Sequence, residues 1–204
     1  MDNSIKQNNT NPLKAKTFKF IPKHAKQVFS GVLFSIYQWP QKLYNGKIAT
    51  FEAVTRPDTV AIIALTKDNK VIVTKEKQPD YNEWFYSVPG GRVEPNEDIL
   101  ITAKREFLEE TGYIAQELTY YKPSYLYRKI DFATHIFLGK NAIQQTSPQL
   151  DAGEKIKIEL FTPKDFIELV FTEEFKYPNI TMLIAWAINN PQKYSQLLQH
   201  LKYI

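Results

Sequence analysis

The sequence predicts an α+β fold: a mixed β-sheet packed against helices, with an N-terminal antiparallel strand pair and C-terminal helices. Short runs rich in β-branched and aromatic residues, separated by turn-forming residues, recur through most of the chain. One regular amphipathic helix follows a Pro-Gly-Gly turn near the middle, and apolar residues at helical spacing return near the C-terminus. This mixture favours α+β over an all-helical or an all-β fold.

Composition sets the size and class of the protein. The chain has 204 residues, which is one domain of about 150 residues plus roughly fifty more. Hydrophobic residues make up 43% of the chain, so a sizeable core is expected. The absence of cysteine excludes disulfide scaffolds, thiolate zinc sites and cysteine nucleophiles.

The positive charge is concentrated at the start of the chain. The net charge is +4, but residues 1–26 hold six lysines against one aspartate, so the remainder is close to neutral. We interpret residues 1–18 as a disordered or loosely attached basic leader. A nucleic-acid partner is not expected, because no basic helix face or stripe follows.

Two negative observations bear on location. No run approaches the ~18 apolar residues of a membrane span, and no apolar stretch precedes a cleavage site of small residues. The sequence therefore predicts a cytoplasmic protein without a membrane partner.

The first expected unit, residues 19–57, contains a strand pair that could serve as a dimerisation element. Strands at 28–39 and 48–54 are expected to join through Pro40 and the Asn45-Gly46 turn. An Asn-Gly pair between apolar runs is a strong hairpin signal.

The second expected unit, residues 58–204, holds the main sheet and the helices. Turn residues at 67–69 connect its first two strands. Strand candidates lie at 59–65, 71–74, 84–88, 118–121, 132–138 and 155–161. Helix candidates lie at 97–111, 163–170, 180–188 and 194–201. Gly112 ends the first helix and Pro163 begins the second, in keeping with their preferred helix positions.

The helix at 97–111 carries three carboxylates on one face. At about 100° per residue, Glu106, Glu109 and Glu110 fall within roughly 100° of one another. An apolar stripe flanks this face on each side, so we expect the helix to be wedged between two layers with its carboxylates partly enclosed. The two stripes are Leu100, Ala103 and Phe107, and Ile101 and Leu108.

Three neighbouring carboxylates repel one another, and a hard divalent cation relieves that repulsion. Oxygen ligands without His or Cys favour Mg²⁺ or Mn²⁺ over zinc. Magnesium often binds substrate phosphates together with carboxylates, so phosphate chemistry is indicated. The Gly90-Gly91 pair lets the backbone approach the same place, and a carbonyl there could be a further ligand. A bare E-x-x-E-E pattern is also typical of a solvated acidic helix face.

The full spacing decides between these interpretations, because residues 91–113 resemble the Nudix hydrolase signature. Every charged and glycine position of the signature is matched, and the departures are Phe107 and Tyr113, where the pattern prefers aliphatic residues. The matched positions are Gly91, Glu97, Arg105, Glu106, Glu109, Glu110 and Gly112. The resemblance implies a Nudix-type sandwich of helices around a mixed sheet.

The resemblance also implies roles for these residues. Glu106 and Glu110 would be the main Mg²⁺ ligands, with Glu109 a ligand or close neighbour. The Gly90 carbonyl would be a backbone ligand. Arg105 would pair with Glu97 and hold the loop and helix in shape.

Beyond the signature, the chain resembles the ADP-ribose pyrophosphatase group. Three features suggest this: the expected N-terminal strand pair, the lead-in at 51–58 and the loop at 150–156. In that group the strand pair helps to build a homodimer whose partner contributes to the nucleotide site. On that basis Glu154 is a candidate general base or late metal ligand, with Asp151 in reserve and Glu106 as a competitor. The alternative for Glu154 is an exposed turn residue.

Substrate contacts are expected from residues outside the signature. Arg56 and Arg92 could bind phosphate in a bidentate manner, although Arg92 could instead pair with Glu94. Pro123 is the candidate for a proline that the group often carries after the signature. Candidates to stack on a base, each with a structural role as the alternative, are Trp39, Tyr44, Tyr125 and Tyr127. His135 is expected to be a packed histidine.

The resemblance implies a Mg²⁺-dependent homodimeric enzyme that splits ADP-ribose into AMP and ribose 5-phosphate. The alternatives are another nucleotide substrate (a dinucleoside polyphosphate, NADH, a sugar nucleotide or an RNA cap) and a Nudix domain that senses a nucleotide without cleaving it. An RNA substrate would need a basic channel, which the nearly neutral main chain does not offer.

Overall fold

A computed structural model describes residues 20–126, 128–150 and 153–202. The basic leader predicted for residues 1–18 lies outside these residues, as do Tyr127 and Asp151. No helix within the described ranges is long and apolar enough to cross a membrane.

The chain forms two β-sheets. A four-stranded sheet contains β1 (Lys26–Ser30), β2 (Ser35–Lys42), β3 (Ile48–Thr55) and β9 (Ile130–Asp131), in the order β1-β2-β3-β9. The larger sheet contains β4 (Thr59–Thr66), β5 (Val71–Gln78), β6 (Tyr81–Ser87), β7 (Tyr113–Ile114), β8 (Glu117–Ser124), β10 (Thr134–Gln144) and β11 (Lys155–Phe161). Its main order is β11-β5-β4-β10-β7, with β6 beside β5 and β8 beside β10. Parallel pairing of β4 with β10 among antiparallel pairs makes it a mixed sheet, as predicted.

The N-terminal sheet differs in detail from the prediction. The single strand expected at 28–39 is two antiparallel strands, because the chain turns at Gly31, whose N–H donates to the Phe34 carbonyl at 2.8 Å. Pro40 lies inside β2 opposite Thr50 instead of in the connection. The Asn45-Gly46 hairpin turn is confirmed, with Gly46 in the left-handed region at φ 82°.

Four helices cover the larger sheet: α1 (Ile99–Thr111), α2 (Pro163–Leu169), α3 (Pro178–Asn189) and α4 (Ser195–His200). Alternate residues of β4 point to opposite faces. Ile62 faces α1 and Phe107, whereas Ile63 faces the side covered by α2, α3 and α4. The predicted sandwich with C-terminal helices is therefore present, and its sheet is buried on both faces. The short strands β7 and β9 were not predicted.

Helix α1 is anchored at both ends by its sequence. The Asp98 carboxylate accepts hydrogen bonds from the N–H groups of Leu100 (2.8 Å) and Ile101 (3.4 Å), which satisfies two free donors of the first turn. Gly112 ends the helix in the left-handed conformation at φ 73°, and its N–H donates to the Leu108 carbonyl at 2.8 Å.

The predicted wedging of α1 between two layers is wrong. The stripe with Ala103 and Phe107 is buried against the sheet, but Ile101 is 54% exposed and Leu108 is half-buried. The second helical layer packs on the opposite face of the sheet, so the outer side of α1 remains open. The sheet therefore covers only one side of α1.

We expect Asp98→Ala to lower the free energy of unfolding by about 1 kcal/mol, because it removes the helix cap. Equilibrium urea unfolding measures this change. Asp98→Asn is the matched control and should stay close to the wild-type value, since its side-chain carbonyl can still accept the bonds. Equal stability of the alanine variant and the wild type would contradict the assigned cap.

Candidate active site

An open cavity of about 550 Å³ is lined by carboxylates from α1, from β5 and from the segment before β11. Its wall comes from α1, the β5–β6 hairpin, the loop between β6 and α1, and the residues just before β11 and α3. Leu33 and Arg56, which flank strands of the N-terminal sheet, also reach it. The cavity therefore collects side chains from distant parts of the sequence.

The Gly90-Gly91 loop lies against β4 and brings backbone close to α1. The Val60 N–H donates to the Gly91 carbonyl at 2.9 Å, and the Ile62 N–H donates to the Pro89 carbonyl at 2.8 Å. A Cβ atom added at Gly91 would overlap the carboxylate of Glu106. A Cβ atom added at Gly90 would overlap the backbone carbonyl of Val60, which cannot move aside as a side chain can, so the close approach of the loop to β4 requires glycine at position 90.

Arg105 connects α1 to the loop that precedes the helix. Its guanidinium donates to both Glu97 oxygens at 2.9 and 3.0 Å, which is the predicted pair. The same group also donates to Glu106 at 2.8 Å and to Glu109 at 3.0 Å, which was not predicted. Hydrogen bonding from Arg105 lowers the pKa of Glu97 to about 2, so that pair stays ionised.

Glu110 is the most buried carboxylate of the site. It is 8% exposed and accepts a hydrogen bond from the Gly90 N–H at 2.8 Å. Burial raises its pKa well above the usual value, and the nearby carboxylate of Glu76 raises it further. Gly90 thus contacts the site through its N–H; a role for its carbonyl stays a prediction.

Glu106 and Glu154 are close enough for the charge of Glu154 to affect the pKa of Glu106. Burial raises the pKa of Glu106 and Arg105 opposes the rise, while Glu109 and Glu154 add to it. Both Glu106 and Glu154 line the cavity. Glu109 also lines it, but remains more exposed than Glu106 and is held by Arg105.

Glu76 is a site residue that the sequence analysis missed. It lies on β5, is 7% exposed, and its carboxylate accepts a hydrogen bond from the Thr74 hydroxyl at 2.6 Å. Burial raises its pKa, and Glu154 contributes to the rise. The available signal was strand alternation, which places a charged residue on a face otherwise expected to be buried.

Cationic side chains face these carboxylates from other parts of the cavity wall. Arg56 stacks over the rings of Phe34 (5.9 Å) and Phe132 (4.9 Å), and its buried Nε has no hydrogen-bond partner among the described residues. Burial lowers its pKa. Arg92 lines the cavity and also pairs with Glu94 at 2.9 Å, so both roles considered for it have a geometric basis.

Several predicted contacts do not reach the cavity. Pro123 lies in β8, paired with His135, and is not part of the cavity wall. Trp39 is buried against Phe51, and Tyr44 is fully exposed. Tyr125 lines a separate cavity of about 270 Å³.

His135 is packed in the interior, as expected. Its Nε2 lies 3.0 Å from the Asp58 carboxylate, and its Nδ1 lies 3.2 Å from the Tyr120 hydroxyl. These bonds join the residue before β4 to β8 and β10. His135 does not line the cavity that holds the carboxylates.

The carboxylates fit a hard divalent cation by their chemistry. They supply oxygen donors only, and burial disfavours their ionised forms unless a positive charge is present. Within the described ranges no three acidic or histidine side chains already converge as a complete ligand set. Glu106 is instead held by Arg105 and Glu110 by the Gly90 N–H.

This chain is similar to known proteins in sequence and in fold. The NUDIX domain model matches residues 55–183. The ADP-ribose pyrophosphatase of Bacillus subtilis (strain 168) is 33% identical over 153 residues, covering 73% of this chain and 82% of that protein. The methanol dehydrogenase activator of Bacillus methanolicus is 27% identical over 188 residues, covering 87% of this chain and 93% of that protein.

A solved structure of an ADP compounds hydrolase supports the fold. It aligns with a TM-score of 0.64 at 19% identity and covers 88% of this chain and 97% of the solved chain. The domain match, which spans more than half of the chain and includes the whole signature helix, confirms the resemblance inferred from residues 91–113. The chain belongs to the Nudix hydrolase family.

Proposed function

We propose that this Nudix hydrolase is a Mg²⁺-dependent pyrophosphohydrolase that splits ADP-ribose into AMP and ribose 5-phosphate. The observation that carries the proposal is the cavity in which Glu76, Glu106, Glu110 and Glu154 face cationic side chains. A divalent cation would bind to the carboxylates. A diphosphate would then bind both to that cation and to the cationic side chains. The similarity to an ADP-ribose pyrophosphatase supports the choice of substrate.

Glu106 and Glu110 would hold the cation, with Glu109 and the Gly90 carbonyl completing the ligand set. Mg²⁺, or Mn²⁺ in its place, would neutralise the diphosphate and lower the pKa of a bound water. Arg105 contacts Glu106 and Glu109 directly and thereby orients both carboxylates. Its pair with Glu97 keeps this arrangement attached to the loop.

The reaction also needs a general base and side chains that bind the phosphate oxygens. Water attacks one phosphorus, the bridging oxygen leaves with the other phosphate, and Glu154 accepts the proton of the water. Glu106 is the alternative base, and Asp151 lies outside the described residues. Arg56 and Arg92 would bind the phosphate oxygens, because both line the cavity and the buried Arg56 Nε has an unused hydrogen.

The substrate is tested with a panel of nucleoside diphosphate compounds in a coupled phosphatase assay. We expect ADP-ribose to be turned over selectively with Mg²⁺ and turnover to stop with EDTA, because the clustered carboxylates need the cation to bind a diphosphate. The panel includes NADH, dinucleoside polyphosphates and sugar nucleotides. Preferred turnover of another compound would contradict the choice of ADP-ribose, and no turnover of any compound would favour a sensing domain.

We expect Glu110→Gln to lower kcat by at least about 100-fold, because it removes a central anionic ligand from a buried site. The fold should survive: since burial raises the Glu110 pKa, its ionised form disfavours the folded state at neutral pH, and glutamine removes that cost. Steady-state assays and thermal melting in EDTA measure the two effects.

Glu168→Gln is the matched control for this variant, because Glu168 is an exposed glutamate on α2. It should keep wild-type activity. Unchanged activity in Glu110→Gln would overturn the proposed metal site.

A homodimer is the expected assembly. The edge strand β1 is exposed along its whole length, and the N-terminal sheet exposes several apolar side chains. These include Val28, Phe29, Val32, Phe34 and Ile48. An exposed apolar edge strand is a ready surface for pairing with another chain.

We expect light scattering at micromolar concentration to give twice the chain mass of 23.8 kDa. Phe29→Asp should shift the mass toward the monomer, because it places a charge in the apolar surface. Phe171→Asp changes a similarly exposed phenylalanine at the end of α2 and should leave the dimer intact. A monomer mass for the wild type would contradict the assembly.

A further inference from the structure

A buried hydrogen-bond network lies just before β4, and the reaction described above does not use it. Asp58 is 5% exposed and His135 is 1% exposed, although both side chains can carry a charge. One carboxylate oxygen of Asp58 accepts a hydrogen bond from the Ala133 N–H at 2.8 Å, and the other lies 3.0 Å from the His135 ring. Burial of a carboxylate costs free energy even when partners compensate for the lost water, so this network calls for a role.

The hydrogen bonds of this network run in one direction. A carboxylate has no hydrogen to donate, so Nε2 of His135 donates to Asp58. In a neutral ring, Nδ1 is then the acceptor for the Tyr120 hydroxyl, which lies 3.2 Å away. Burial raises the pKa of Tyr120 to about 12, so the hydroxyl keeps the proton that this bond requires. Tyr120 on β8 and His135 on β10 thus both support the carboxylate of Asp58.

The bond from Ala133 to Asp58 fixes the ring on which Arg56 lies. Ala133 directly follows Phe132, and the guanidinium carbon of Arg56 lies 4.9 Å from the centroid of the Phe132 ring. The Ala133 carbonyl also accepts a hydrogen bond from the Thr59 N–H at 2.9 Å, so both backbone polar groups of Ala133 are held. The Asp58 side chain therefore helps to set the position of the ring beneath Arg56.

Arg56 is also connected to Asp58 through a stiff stretch of backbone. The residue between them is Pro57. Proline fixes its own φ at about −65°, and it restricts the residue before it to extended backbone. Few free torsions therefore separate the backbone of Arg56 from the anchored Asp58. Both the backbone of Arg56 and the ring beneath its guanidinium depend on the same carboxylate.

A fixed guanidinium is an advantage in a site that binds phosphate. Arg56 lines the cavity, and its guanidinium lies near the rings of Phe34 and Phe132. A side chain that is oriented before the ligand arrives loses less conformational entropy on binding. Preorganisation of Arg56 would therefore increase the affinity of the cavity for a diphosphate.

We propose that Asp58, supported by His135, is a positioning residue that orients Arg56 toward the diphosphate of the substrate. The proposal rests on the proposed hydrolysis of a nucleoside diphosphate compound and adds a determinant of diphosphate affinity. Asp58, His135 and Tyr120 do not line the cavity, so they act on the ligand only through Arg56.

The test measures binding to the full chain by isothermal titration calorimetry. The probes are inorganic pyrophosphate in the presence of Mg²⁺, and Mn²⁺ alone. Asp58→Ala should weaken pyrophosphate binding about tenfold. It should leave the Mn²⁺ affinity unchanged, because the proposed carboxylate ligands lie on α1. When Arg56 is already replaced by alanine, Asp58→Ala should cause no further loss, since both changes remove the same contribution.

Two further variants separate positioning from a general loss of stability. Asp58→Asn should retain most of the pyrophosphate affinity, because its amide oxygen can accept from Ala133 and its amide N–H can donate to the other tautomer of His135. His200→Ala is the matched control. His200 is also buried, and its ring nitrogen lies 3.0 Å from the Ile63 carbonyl, but it does not line the cavity. Its replacement should leave both affinities unchanged.

His135→Gln tests the same network if Asp58→Ala does not fold. It should weaken pyrophosphate binding to a smaller extent, and the loss should again disappear in the Arg56→Ala background. The positioning role is overturned if either change weakens pyrophosphate binding as much without Arg56 as with it, or if the Mn²⁺ affinity falls in parallel. A wild-type chain that shows this coupling but hydrolyses no nucleotide would support the role of Asp58 and contradict the proposed reaction alone.

Discussion

The site depends on the hydrogen bonds of Arg105. One guanidinium binds Glu97 in the loop before α1 and Glu106 and Glu109 on the helix itself. Three carboxylates so close together would repel one another, and the single cation compensates part of that repulsion while fixing their directions. Without the Arg105 guanidinium, the loop and the acidic face of α1 would lose the side chain that joins them.

The other two carboxylates of the cluster, Glu110 and Glu76, are buried although burial and mutual repulsion both disfavour their ionised forms. Glu110 and Glu76 are buried near each other, and burial raises the pKa of both. The protein provides limited compensation: the Gly90 N–H for Glu110 and the Thr74 hydroxyl for Glu76. Such an arrangement costs stability in the folded chain and is typical of sites where function requires closely spaced charges. Arg56 and Arg92 line the same cavity as these carboxylates.

Local patterns in the sequence predicted local structure well. The Asn45-Gly46 turn, the strand at 155–161 and the helix ended by Gly112 depend on neighbours a few residues apart, and all are present. The errors concern longer-range packing. Whether Ile101 is buried depends on which layer lies beyond the helix, and whether Pro123 reaches the cavity depends on the register of β8 against β10. Neither property is contained in a short stretch of sequence.

The sequence by itself determined the family and the carboxylate face of α1, because helical periodicity places Glu106, Glu109 and Glu110 together without help from the rest of the chain. Only the tertiary structure decided that Glu76 and Lys176 join the same region. Residue 76 arrives by the pairing of β5 with β11, and residue 176 by a backbone hydrogen bond to Tyr86 of β6; both contacts span long separations in sequence. Long-range pairing is set by the burial of the whole sheet between two helical layers, which no local pattern encodes.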